Sequence, residues 1–171
     1  VGFVSGPELS FNTASVNALE VGFRTVIPEG QVLATYTGDF NDSGLALEAT
    51  IAQIAQGADL VYPFLGAAAK AVIEEAQSSG VLVAVQPENR CAAGDFAVSV
   101  IFSQGAYGLG LLEAFAEGTF EEGTRRVFHI GQDPDQVNVI VCGNDAIQAE
   151  VDAIAADIAS RFIVGPSPEA E

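Results

Sequence analysis

The chain has 171 residues, of which 49% are apolar and 17% charged, a balance that predicts a packed globular core and excludes disorder. Six Lys and Arg face 23 Asp and Glu, and the resulting net charge of −17 repels nucleic-acid phosphates and anionic lipid heads. The apolar residues come in short runs, none near the ~20 residues that span a bilayer, and the opening VGFVSGPELS has neither the basic start nor the apolar stretch of a signal peptide.

Val1–Ser5 is a short apolar run closed by Gly6-Pro7, the pattern of a buried strand and its turn. Val16, Leu19, Phe23, Val26 and Ile27 recur at three- and four-residue spacing and predict a helix from about Thr13 to Ile27, stopped by Pro28. Gln31–Tyr36 reads as a second strand. Asp42 or Ser43 then caps a helix through Leu45, Leu47, Ile51 and Ile54, with Gly57 in the C′ position. Asp59–Phe64 is a strand, Ala67–Ser79 a helix, and Gly80 its stop signal. Val81–Val85 is an uninterrupted apolar strand of the kind a parallel sheet buries on both faces. After a loop from Pro87 to Gly94, Phe96–Phe102 reads as a strand and Gly105–Glu117 as a helix ending at Gly118. Arg126–Ile130 and Val137–Val141 read as strands, and Asn144 caps a last helix to about Arg161. Ile163-Val164 is expected as a short final strand, with residues 165–171 a disordered tail.

This alternation predicts an α/β fold with a doubly wound parallel sheet, of the flavodoxin or Rossmann type. Such sheets bind ligands beyond the carboxyl ends of their strands, where strand order reverses. The loops concerned are Gly6–Phe11, Gly38–Asp42, Tyr62–Ala67 and Gln86–Arg90, and the ligand residues expected on them are Glu8, Tyr62, Phe64, Gly66, Ala67, Gln86 and Glu88. An aromatic face after the third strand stacks on a flat ligand, and small residues beyond it let the ligand approach the helix. Of Tyr62 and Phe64, one is expected in the core and the other lining the ligand.

Catalytic and cofactor motifs are missing from the sequence. No G-x-G-x-x-G follows the first strand, no phosphate loop or nucleophile elbow is present, and no calcium loop is visible. No cofactor and no enzymatic activity are therefore expected. The one histidine, His129, lies in the apolar run VFHI and reads as a structural strand residue rather than as part of a triad. Gly105, Gly108 and Gly110 open a helix, and close packing of that helix on the sheet is favoured over an anion site because no basic residue is near. Cys91 and Cys142 lie outside any zinc-type spacing, which leaves two free thiols or one disulfide.

Several stretches together resemble the basic membrane protein family of ABC-transporter solute-binding lipoproteins, which includes purine-nucleoside receptors. They are VGFVSGPEL, VNALEVGFRTVIPEGQVLATYTGDFND, GADLVYPFLGAAAKAVIEEAQSSGVLVAV and the closing IQAEVDAIAADIAS, in the family's order. The resemblance implies a type I periplasmic-binding-protein fold of two lobes joined by three crossovers. This chain would supply the second lobe as a single α/β unit over 1–164, with Phe96–Gly118 matching the segment that returns to the first lobe. Tyr62 matches the family aromatic that stacks on the purine, and Gly66 lies in the family's glycine-rich turn, where Ala67, Ala68 and Ala69 replace further Gly and Thr. The family's Asp in the stretch AVSVIFSQGAYGL falls near Gly105 here, and its Lys has no counterpart in HIGQDPDQVN. Those two positions contact the sugar in nucleoside-binding relatives, so a different solute is credible.

The implied mechanism is closure of two lobes on a small-molecule ligand, followed by recognition by an ABC permease. The implied location is extracytoplasmic, periplasmic or as a cell-surface lipoprotein, which favours a Cys91–Cys142 disulfide. An isolated half cannot close, so weak binding of purine nucleosides, or none, is expected of it. The competing reading is an orphan lobe that acts as an interaction or regulatory domain, self-associating through the face a first lobe would cover. An enzyme on a Rossmann-like sheet has the least support.

Overall fold

A computed structural model describes residues 1–123 and 127–161, which form six strands and five helices. The expected single lobe over 1–164 divides by its contacts into two compact units. The first holds Val1–Val85 with Ala93–Ala97, and the second holds Gln86–Ala92 with the described residues from Val98 onward. Residues 162–164, including the expected strand Ile163-Val164, lie outside the described residues, as do the tail 165–171 and Arg126.

The first unit contains β1 (Gly2–Ser5), α1 (Ser10–Val26), β2 (Leu33–Tyr36), α2 (Ser43–Ala55), β3 (Leu60–Phe64), α3 (Ala69–Ser78) and β4 (Leu82–Val85). Its strands are parallel in the order β2-β1-β3-β4. The chain therefore leaves β1 to one side for β2 and returns to its other side for β3, so strand order reverses between β1 and β3. The register pairs Phe3 with Tyr62 and Ser5 with Phe64. Every residue of β1 is buried, with Phe3 and Val4 wholly inaccessible, as expected of a central parallel strand. β4 departs from that pattern at its first residue, because Leu82 is exposed while Val83, Ala84 and Val85 are buried.

Helices α2 and α3 supply Ala46, Ala49, Thr50, Gln53, Val72 and Ala76 to the core. Most of these are small, which suits close approach of helix to sheet. Gln53 is the exception, and it is wholly buried because its amide nitrogen reaches Phe3 O (3.1 Å), Leu33 O (2.8 Å) and Thr35 Oγ1 (2.9 Å). It cross-links β1 to β2, and Gly2 leaves the room for it, since a Cβ there would collide with its side-chain oxygen. Asp42 caps α2, accepting from Gly44 and Leu45 amides at 2.9 and 3.0 Å, and Gly57 ends the helix region at φ +93. α1 starts three residues before the expected Thr13, because the Asn12 amide donates to Pro7 O (2.9 Å) and ties the first turn down.

The second unit contains β5 (Val98–Phe102), α4 (Gln104–Ala116), β6 (Val137–Val141) and α5 (Asp145–Arg161). β5 and β6 pair antiparallel, from Val98 with Val141 to Phe102 with Val137. The sheet strands of the chain are thus mostly parallel, with this one antiparallel pair where the sequence predicts parallel strands throughout.

Residues 127–129 are not a strand, contrary to the expectation from VFHI. His129 N–H donates to Asp133 Oδ2 (2.9 Å), and its carbonyl accepts from Gln132 and Asp133. Those bonds use the backbone groups a sheet ladder would need. Gly105 and Gly108 of α4 are also not packed closely. A Cβ at Gly108 would meet nothing within 4 Å, and one at Gly105 only Ser103 Oγ at 4.0 Å.

Candidate functional site

The reversal point between β1 and β3 carries a run of aromatic rings from interior to surface. Phe3 meets Tyr62 edge-on (centroids 5.5 Å, 86°) and stacks on Phe64 (5.7 Å, 23°). Phe64 meets Phe11 at 6.1 Å, and Phe11 lies nearly parallel to Phe40 at 6.5 Å and 11°. Phe3 is fully buried and Phe11 is 50% exposed, so the innermost ring is core and the outer rings form a wall open to solvent. Tyr62 and Phe64 both pack on Phe3, because residues two apart on a strand share a face. Tyr62 and Phe64 thus share a face and are both half-buried, so alternation along the strand does not divide them. Phe64 lies one step nearer the strand's end and reaches Phe11.

Burial raises the Tyr62 phenol well above the ordinary tyrosine range. The folded state keeps a proton that the unfolded chain loses near pH 10. Its contribution to stability is whole below that pH and is lost as pH rises above it. Tyr62→Phe is expected to make stability fall less steeply between pH 9.5 and 11 ("roughly" the window set by an ordinary tyrosine), as read from urea midpoints across the series. An unchanged alkaline slope would reject this role for Tyr62.

Three loops build the wall. Gly6, after β1, lies against the Phe40 ring, and a Cβ there would come within 2.5 Å of it. The loop after β2 grips the start of the α3 segment. Phe40 O accepts from Gly66 N–H (3.0 Å) and Ala68 N–H (3.4 Å), while Asn41 Oδ1 accepts from Ala67 N–H (3.0 Å). Gly66 has to be small, since a Cβ would sit 2.7 Å from Asn41 Oδ1. Thr37 bridges the same loops by donating its hydroxyl to Ser5 O (3.0 Å) and Asp39 O (2.8 Å). Beneath them, Asn12 is buried with its amide on Ser5 Oγ at 2.5 Å, and its side-chain oxygen has no partner among the described residues.

Of the expected ligand residues, Tyr62, Phe64, Gly66 and Ala67 are brought together here, with Gly66 and Ala67 exposed. Glu8 is exposed in the loop after β1. Gln86 and Glu88 belong to the second unit, on the loop that carries Cys91. Phe11, Phe40 and Asn41 were not singled out from sequence, although the loops holding them were. Their signal is positional only: Phe40 and Asn41 lie in the loop after β2, and Phe11 opens the helix that follows β1.

The second unit has its own cleft, of about 670 Å³, lined by Tyr107, Gly110, Glu113, Glu117, Phe120 and Phe128 among others. Tyr107 stacks on Phe128 at 4.5 Å, and its phenol is raised by burial and by the charge of Asp133. None of the expected ligand residues lines that cleft. In the same unit Cys91 and Cys142 form a disulfide with Cα atoms 5.1 Å apart.

Among solved structures, a solute-binding protein of an ABC transporter system from Conexibacter woesei DSM 14684 superposes with a TM-score of 0.72 at 24% identity, over 96% of this chain and 56% of that one. A transcriptional activator of the comK gene from Bacillus halodurans gives 0.78 at 17% identity, over 96% and 58%. A solute-binding protein of an ABC transporter system from Aeropyrum pernix K1 gives 0.67 at 15% identity, over 99% and 47%. The chain thus spans about half the length of these structures, and at these identities they show the fold, that of type I periplasmic binding proteins. No curated protein matches the chain. A family model described as ABC transporter substrate-binding protein, PnrA-like, matches residues 1–163, and the chain belongs to that family.

Proposed function

We propose that this chain is the solute-recognising lobe of the binding component of an ABC importer, located outside the cytoplasm, and that it takes a small solute with a flat, uncharged ring. The observation that carries this is the aromatic wall of Phe11, Phe40 and Phe64 at the strand-order reversal, in a chain of the substrate-binding family. The wall supplies stacking area. The exposed turn at Gly66 and Ala67 and the side chain of Glu8 supply polar contacts. Tyr62 supports the wall from behind, through Phe64. A disulfide is in keeping with an oxidising compartment. A purine nucleoside fits the ring, but without the two charged sugar contacts of nucleoside-binding relatives the sugar is held by other groups or is absent.

Full affinity needs closure against a second lobe, so binding by this chain alone is weaker than micromolar. Titrating adenosine to millimolar concentration is expected to move the ring resonances of Phe11, Phe40 and Phe64 in NMR spectra, and Phe11→Ala to abolish those shifts while leaving the fold intact. Micromolar affinity of the chain alone would remove the need for closure. Shifts that cluster around Tyr107 and Phe128 instead would move the site to the other cleft.

A second reading rests on α4, none of whose residues is buried and which exposes Leu109, Leu111, Leu112 and Phe115. An apolar surface of that extent calls for a partner, and in this reading a second copy of the chain supplies it. Sedimentation is then expected to show a concentration-dependent dimer that Leu112→Glu with Phe115→Glu converts to monomer. A monomer at all concentrations rejects it.

A further inference from the structure

We propose that the Cys91–Cys142 disulfide is the positioning element of the loop after β4, fixing the segment Gln86–Ala92 that presents Gln86 and Glu88. Within the second unit the anchors of the segment include three contacts. Pro87 O accepts from Phe102 N–H at 3.1 Å, which joins the start of the loop to the end of β5. Arg90 N–H donates to Ser99 Oγ at 3.0 Å, a hydroxyl wholly buried on β5. Cys91 is bonded to Cys142, which directly follows β6.

Two of these anchors are single hydrogen bonds, each contributing about 1 kcal/mol net. Glu88, Asn89 and Arg90 are exposed, so on the donor side the Arg90 amide can turn to water instead. The disulfide is covalent, so water cannot exchange it. It also holds the middle anchor in place, because Ser99 Oγ lies 3.6 Å from Cys91 Sγ and 3.9 Å from Cys142 Sγ. Opening the bridge releases Cys91, and the Arg90 amide beside it loses its fixed position over Ser99.

Dithiothreitol opens the bridge in two steps. One reductant thiolate attacks a protein sulfur and breaks the bond, giving a mixed disulfide, and the second reductant thiol then displaces the remaining protein sulfur. Two electrons pass to the protein, whose two sulfurs take up protons, and the reductant leaves as a cyclic disulfide.

The test is backbone ¹⁵N relaxation on the chain oxidised, reduced and as C91S/C142S, without ligand. Order parameters for Glu88–Ala92 are expected to fall from about 0.85 to below about 0.6 on opening the bridge, while Ser99–Ile101 and Val137–Val141 stay near about 0.85. A loop that keeps its order without the bridge overturns the proposal. Loss of order in β5 and β6 together with the loop also overturns it, since the bridge would then be a general staple. Because no solute is present, failure of the solute reading in the adenosine titration is separate from failure here.

Discussion

Replacing both cysteines, C91S/C142S, is expected to lower the unfolding free energy of the chain by about 4 kcal/mol. The bridge joins residues 51 apart in sequence. Closing a loop of that length removes conformational freedom from the unfolded chain, and the chain-entropy relation places the effect near the upper end of the usual range for one disulfide. For a protein of this size that corresponds to a drop in melting temperature of roughly 10 °C. Urea unfolding of the oxidised protein and of the serine pair measures it. Equal midpoints would mean that the unfolded chain is no freer without the bridge. This effect is one of the unfolded state, whereas the positioning of Gln86–Ala92 belongs to the folded state, so the two measurements report on different ensembles.

The second large effect is expected from Phe3→Ala, at about 3–5 kcal/mol. Phe3 is wholly buried on the central strand of the first unit, with Tyr62 on one edge and Phe64 stacked on it. Truncation leaves a cavity behind both rings, and neighbours held by strand pairing on β1 and β3 cannot collapse into it. Phe11→Ala removes the same side chain from a position 50% exposed, so its cost is expected to be below about 1.5 kcal/mol, the lost half-burial alone. Paired urea denaturations of the two variants check this. If Phe3→Ala costs no more than Phe11→Ala, the inner rings are not the core of the unit and the depth gradient across the wall is wrong.

Much of the fold was legible in local chemistry. Asp42 and Gly57 bracket α2 as a capping carboxylate and a left-handed glycine must, because helix ends have unpaired groups that only such residues satisfy. The short apolar runs of β1 and β6 were equally plain. VFHI misled because three apolar letters around a histidine do not reveal that Asp133, four residues beyond His129, captures the His129 amide. The antiparallel pairing of β5 with β6 was hidden for a similar reason, since strand direction is set by where the connecting chain runs. At the site, the strand ends were marked correctly but Phe11, Phe40 and Asn41 were not. Their roles depend on contacts between loops 26 or more residues apart, such as Asn41 with Ala67.

The grip of the β2 loop on the α3 segment also bears on how this protein can change over time. Two of its three bonds are accepted by the Phe40 carbonyl, which any amino acid would offer, and all three are donated by main-chain amides at residues 66 to 68. Many substitutions in either loop therefore leave the two Phe40 bonds intact, whereas inserting or deleting one residue shifts every donor past its acceptor. Relatives of this chain should keep the number of residues in 38–42 and 64–68 more strictly than their letters, apart from the small Gly66 and the side chains of Asn41 and Asp42, with any change of length in one loop matched by a change in the other.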